Sequence, residues 1–360
     1  MNATRAIDLE DTEGLLAADR DGLLRAASSA GAQVRAVAAA VEEGALQAVR
    51  ADDRPRSVIW VAGRGTAETA GTLLAATLGA TASQPFTLTG EAPPWVGPLD
   101  VLIIAGDDPG DPALVAAAAT GVRRGARVVV AVPYEGPLRD STAGRVAVLS
   151  PRLRVPDEFG VCRFLAAGLA VLHAVDPRPS IDLALLADEL DAEALRNSAT
   201  RELFTNPAKT LAARIAESQV ALAGDGAATL ALARHGSSVL LRIAHQVTVA
   251  TSLADAVVAL RSLAGAGFGD RDAALFHDEE IDGPRPQRLR VLALALADER
   301  TVVAARLAGF DDVDLVAAGD VPEGLDLAAD AAGAGRPEQQ LAVLAVRLEM
   351  AAVYLRLVRG

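Results

Sequence analysis

One pattern constrains this chain more than any other: an apolar run, a Gly-x-Gly turn and the start of an alanine-rich helix, met once in each half. Residues 55–71 read PRSVIWVAGRGTAETAG, and residues 219–232 read QVALAGDGAATLAL. An apolar strand that empties into a glycine turn before a helix is the layout of a parallel strand whose loop faces a ligand. Its recurrence predicts two similar α/β halves. Half of the residues are apolar (51%) but only 3% are aromatic. The cores must therefore be built from Ala, Val and Leu, which suits closely packed helices over Val/Ile/Leu sheets.

Around the first turn, Val34, Val37 and Val41 fall on one helix face and predict a lead-in helix that ends near Arg50. Strands are predicted at 57–62, 86–90, 101–106, 126–132 and 146–150, with Pro112 as a first helical residue. Residues 151–216 read mostly as helix, in FGVCRFLAAGLAVLHAV, IDLALLADELDAEAL and PAKTLAARIA. The second half adds strands at 288–296 and 313–319, and a last helix over 337–358. The domain expectation is a lead-in over 1–50, a first α/β domain over 51–155, connecting helices over 156–216 and a second domain over 217–360.

A net charge of −13 argues against nucleic acid or an anionic membrane as partner, since both need a positive stripe. No apolar run reaches the ~18 residues of a membrane span, and the acidic N-terminus does not resemble a signal peptide, so a cytoplasmic protein is expected. The single cysteine, Cys162, excludes an internal disulfide and reads as a buried, inert thiol.

The glycine turns fail the dinucleotide fingerprint, because the place for the third small residue holds Glu68 in one and Thr229 in the other. No cofactor is expected. No Gly-x-Ser-x-Gly occurs, His173 reads as a packed helix residue, and His277-Asp278-Glu279-Glu280 reads as a solvated acidic loop, so no metal is expected.

The strand with its Gly-Arg-Gly-Thr turn, the stretch Pro94 to Asp100 (PWVGPLD), the apolar strand after it, and RRGARVV (Arg123 to Val129) resemble the sugar isomerase (SIS) domains of bifunctional phosphoglucose/phosphomannose isomerases. Residues 288–296 and the terminal GRPEQQLAVLAVRLEMAAVYLRLVRG are similar to the C-terminal region of the same enzymes. The resemblance covers most of the chain in order and length. It implies two SIS-type three-layer α/β/α sandwich domains with parallel sheets, often dimeric, with a sugar phosphate lying between the halves. The ligand would then be lined by Arg64, Gly65 and Thr66 from one turn and by Gly224, Asp225 and Gly226 from the other.

The family's chemistry is carried over only in part. Its phosphate loop after the third strand is Ser-x-Ser-Gly-Asn-Thr, and the hydroxyl places fall here at about Ala105, Asp107 and Gly110. Asp107 and Asp108 repel a phosphate, with helix capping ahead of Pro112 as their alternative role. The family's Pro-Arg-Ala is replaced by Pro156-Asp157-Glu158. Its glutamate base has no counterpart, since no glutamate occurs between Glu217 and Glu279, and its terminal lysine is absent, Lys209 being the only lysine. His235 and His245 lie in the region of the lost base. The expectation is a catalytically degenerate binding protein for a sugar phosphate or related small molecule, regulatory in hexose or mannose phosphate metabolism through a partner enzyme. The alternatives are an active isomerase using His245 or Asp255 as base, and a structural protein without a ligand.

Overall fold

The computed structural model describes residues 7–50, 53–79, 82–178, 182–216, 218–265, 289–320 and 335–360. Three helices lead in: α1 (Thr12–Ala18), α2 (Leu23–Ala27) and α3 (Ala30–Glu42). The first half follows as β1 (Ser57–Val61), α4 (Gly65–Leu78), β2 (Phe86–Thr89), β3 (Asp100–Ala105), α5 (Pro112–Arg123), β4 (Arg127–Ala131), α6 (Gly136–Thr142) and β5 (Ala147–Val148). Helices α7 (Val161–Val175), α8 (Leu183–Arg196) and α9 (Pro207–Ala216) come next. The second half is β6 (Gln219–Gly224), α10 (Ala227–Ala244), β7 (Val249–Ser252), α11 (Leu253–Gly265), β8 (Leu289–Leu294), α12 (Arg300–Leu307), β9 (Val313–Val316) and α13 (Pro337–Arg359).

All strand pairs are parallel. The first sheet has the order β2-β1-β3-β4-β5 and the second β7-β6-β8-β9. The two orders agree strand for strand over the first four, so the repeat in the sequence is a repeat in topology. In each sheet the chain turns back between the first and third strands of its half, which opens a crevice at their carboxyl ends.

Alternation along the strands decides what each face covers. Val58 and Trp60 of β1 point into a core shared with the second sheet, where Val220, Leu222 and Leu292 join it. Ile59 and Val61 point outward beneath Leu114 and Ala118 of α5 and Leu138 of α6. Ala221 and Val291 are covered by Leu253 and Leu260 of α11 and by Val303 and Leu307 of α12. Both halves are therefore α/β/α sandwiches joined through one central helical layer. Helix α7, which the sequence placed in a connecting stretch, lies in this layer beside α4: a Cβ on Gly168 would stand 2.2 Å from Leu74 Cδ1.

Helix α13 runs through that layer and is buried on nearly every side. Several polar residues buried along it are paired. Arg347 Nε donates to Glu193 of α8 at 2.7 Å and its Nη1 to the carbonyl of Ala317 at 2.8 Å, while Glu349 meets His235 Nε2 of α10 at 2.9 Å. Burial raises the Glu349 carboxyl above its ordinary pKa despite the histidine beside it. Cys162 is buried as expected, its thiol raised by burial, whereas His173 is exposed on α7 rather than packed. The strand β7 escaped the sequence reading: four residues at a sheet edge, VATS, carry too short an alternation to be seen.

Candidate functional site

The first crevice is formed by the turn after β1 and the loop after β3. Gly65 opens α4 with φ +68°, a left-handed conformation that glycine adopts without the Cβ penalty of other residues. Arg64 before it is extended and its side chain is 73% exposed. Thr66 is buried and its Oγ1 donates to the carbonyl of Asp157 at 3.0 Å. Arg64, Gly65 and Thr66 are thus consecutive at the opening of α4, Arg64 exposed and Thr66 turned inward.

Across from them the β3–α5 loop brings three carboxylates. Asp111 is the helix cap, its Oδ1 accepting from Ala113 N at 2.9 Å with Pro112 behind it. Asp108 closes a local turn by accepting from Gly110 N at 2.8 Å. Asp107 does neither, so the capping alternative fails for it: its Oδ1 accepts from Arg163 Nη2 at 2.5 Å. Arg163 reaches there from the first turn of α7, stacked 3.9 Å over the Phe164 ring. Arg64 Nη2 lies 3.2 Å from Asp111 and 3.7 Å from Asp108.

Burial governs the electrostatics here. It pushes the Asp107 carboxyl up to about 6 against the opposing charges of Arg163 and Arg242, with Asp157 adding to the rise. It also lowers the Arg163 guanidinium, in spite of Asp107. Both partners shift toward their neutral forms, the behaviour of a pair whose desolvation outweighs its attraction. The sequence reading missed Arg163, although a lone cation inside the apolar run VCRFLAAGLAVL was a visible signal.

The second crevice is built alike but charged differently. Gly224 is there for packing, since a Cβ would lie 2.3 Å from Leu230 N at the start of α10. Asp225 pairs with Arg306 Nη1 at 2.5 Å, and Gly226 N donates to Thr229 Oγ1 at 3.1 Å. Glu299 stands against Gly226, its carboxyl raised chiefly by burial and further by Asp298 and Asp225. Gln340 of α13 accepts from Ala297 N at 2.8 Å, reaching the loop after β8 much as Arg163 reaches the loop after β3.

The two glycine turns do not line one cleft. What the second half presents near the first crevice is Arg242, in the last turn of α10, which donates to Glu158 at 2.7 Å. Gly226 caps the opposite end of that helix, about 24 Å of axial rise away. The contacts of Asp225 and Gly226 stay within their own half, so the expectation of facing turns is corrected to one crevice per half.

The proposed bases also have structural roles. His245 caps α10 in the left-handed region at φ +52° and is exposed. Asp255 accepts from Ser252 Oγ at 2.8 Å and its amide donates back at 3.1 Å, a reciprocal cap at the start of α11. His235 is held by Glu349 in the core. Among the described residues no three or more His, Cys, Asp or Glu side chains are grouped to hold a metal, and His277 to Glu280 lie outside the described residues.

A concavity of about 620 Å³ lies elsewhere, between α9 and β9, lined by Phe204, Leu211, Leu315 and Arg347 among others. It is mainly apolar, and the donors of Arg347 are already engaged. The crevice at the ends of β1 and β3 combines a helix N-terminus with polar side chains that converge, and is the better candidate.

Solved structures share this fold. The chain superimposes on tagatose-6-phosphate ketose/aldose isomerase from Escherichia coli with a TM-score of 0.58 at 15% identity, over 99% of this chain and 95% of that one. The C-terminal domain of glucosamine-fructose-6-phosphate aminotransferase from Francisella tularensis gives 0.55 at 12%, over 94% and 96%. A candidate phosphosugar isomerase from Bacillus subtilis gives 0.57 at 17%, over 92% and 95%. No family model matches the sequence, and no curated protein matches it. At these identities the likeness establishes the fold and leaves the chemistry to the residues.

Proposed function

We propose that this protein binds a carbohydrate derivative, a sugar phosphate or a related small molecule, in the first-half crevice without isomerising it. It acts as a regulator in hexose or mannose phosphate metabolism, through a partner enzyme and as a homodimer. The observation that carries this reading is the β3–α5 loop, where Asp107, Asp108 and Asp111 converge at the place the resemblance assigns to phosphate-holding hydroxyls.

The neighbouring charges say which pairs can exchange for a ligand. Arg64 meets Asp108 and Asp111 at an exposed site, where an ion pair contributes only ~0–1 kcal/mol. A ligand anion can therefore replace those carboxylates on Arg64, next to the free amides that open α4. The Asp107–Arg163 pair is largely buried and remains in place. The phosphate then sits toward Arg64 and Thr66, and the sugar lies over the β3–α5 loop, whose carboxylates accept from its hydroxyls.

A thermal-shift titration tests this with fructose 6-phosphate, mannose 6-phosphate, nucleotide sugars and the parent sugars. A ligand bound by the folded state alone raises the melting temperature. A saturable rise with at least one of these, lost in Arg64→Ala, is expected. No rise with any of them would remove the reading.

A further inference from the structure

Arg242 links the two halves at the crevice. It belongs to the last turn of α10 in the second half, and its Nη2 donates to Glu158 Oε1 at 2.7 Å. Glu158 lies in the single helical turn Asp157–Phe159, which leads from the first half into α7. The next residue back, Asp157, accepts from Thr66 Oγ1 at 3.0 Å through its main-chain carbonyl. Thr66 directly follows the left-handed Gly65 and is 4% exposed. Its seat is close: a Cβ on Gly160 would stand 2.9 Å from Thr66 Oγ1.

The other anchors of this turn act on its far end. Phe159 is buried in the shared core, and its carbonyl accepts from Gln33 Nε2 at 3.0 Å. The Asp157–Glu158 end is gripped by Thr66 from α4 and by Arg242 from α10. Arg163 of α7 and Asp107 of the β3–α5 loop also face this end, and the Arg242 charge acts on Asp107 as well.

We propose that Arg242 is a positioning residue of the first-half crevice. By holding Glu158 it fixes the turn that seats Thr66, and with it the opening of α4 around Gly65. Ligand binding in the first half thereby depends on how α10 of the second half is docked. The link to ligand binding rests on the crevice being the ligand site; the link between Arg242 and α4 does not. With side-chain exposures of 45% and 17%, the ion pair contributes little to overall stability. Its effect is on where the turn sits.

Hydrogen–deuterium exchange on the full chain tests the mechanical link without a ligand. Arg242→Ala should speed exchange of the amides at residues 68–71, the first to bond back to the opening turn of α4, at least threefold and leave those of β4 unchanged. The charge-swapped double variant Arg242→Glu with Glu158→Arg should bring the rate back toward that of the original protein. Arg300→Ala, which removes an exposed ion pair to Asp320 in the second half, should leave residues 68–71 unaffected. Unchanged exchange at α4 in Arg242→Ala would overturn the inference, and so would a rise that the swap does not reverse. A titration with fructose 6-phosphate as probe adds the functional arm: Arg242→Ala should weaken its apparent affinity severalfold and the swap should recover it. If fructose 6-phosphate fails to bind even the original protein while the exchange result holds, the reading of the ligand fails and the positioning role stands.

Discussion

Arg163 Nη2 stands 2.5 Å from Asp107 Oδ1 at the carboxyl end of β3, joining the first turn of α7 to the loop that borders the crevice. Burial shifts both groups toward neutrality, so the pair fixes a geometry at some cost in stability.

A pH dependence follows from that cost. The Asp107 carboxyl rises from 3.8 to about 6 on folding. Between these values the folded chain keeps a proton that the unfolded chain has lost, so stability falls as pH rises through the window and levels off above it. The loss over the whole window is on the order of 3 kcal/mol. Asp107→Asn cannot ionise and should lack this component. Urea unfolding at pH 4.5 and pH 7.5 measures it: the original protein should lose stability relative to the variant on going to the higher pH. Parallel curves for the two proteins would show that burial does not control this carboxylate.

Anion binding at the same loop should change when the carboxylates are removed. In the original protein, phosphate and sulfate should not bind between Asp107 and Asp111. Asp107→Ser with Asp108→Gly restores a hydroxyl, removes two negative charges and frees the Arg163 guanidinium to meet an anion. Inorganic phosphate should raise the melting temperature of this variant by several degrees more than that of the original. Equal responses would argue against the loop as the element that rejects phosphate.

The helical layer between the sheets makes a separate prediction. Arg347 and Glu193 are both almost fully buried, and Arg347 also donates to the carbonyls of Ala317 and Ala318. Arg347→Met leaves Glu193 with only Arg196 and Asn197 and should cost about 3–5 kcal/mol. Adding Glu193→Gln should recover part of that loss, because the stranded charge is then gone. A double variant as unstable as the two single losses combined would mean that the pair is not coupled.

The residues that fold this chain were more legible than the residues that would give it chemistry. Strands β1, β3, β4 and β8 are continuous apolar runs because both of their faces are covered, and such runs stand out in a sequence. The glycines of the two turns were equally visible, yet their roles differ: Gly65 supplies a left-handed bend, while Gly224 only makes room for Leu230. The pairing of Arg163 with Asp107 joins residues far apart in the chain, and neither has a local pattern that names its partner. Arg242 was less accessible still, since the meeting of the end of α10 with the turn at Glu158 depends on how the two halves dock.

Sugar-phosphate isomerisation needs a base, and two of the side chains weighed for that role, Asp255 and His235, have other partners. Moving a proton between adjacent carbons gains roughly 10²- to 10⁴-fold from a positioned base. His245 is an exposed helix cap in the left-handed region, Asp255 is tied to Ser252 in a cap of its own, and His235 is sealed in the core against Glu349. The purified protein should therefore not interconvert glucose 6-phosphate, mannose 6-phosphate and fructose 6-phosphate above a control without protein. Solvent deuterium uptake at C2 detects even turnover that coupled assays miss. His245→Gly serves as a second probe: relief of the left-handed strain should stabilise the fold by about 1 kcal/mol while leaving the assay at background. A rate that scales with protein concentration and disappears in His245→Gly would instead make that histidine the base. If the rate survived His245→Gly and vanished in Asp255→Ala, the proton would be assigned to the carboxylate at the start of α11.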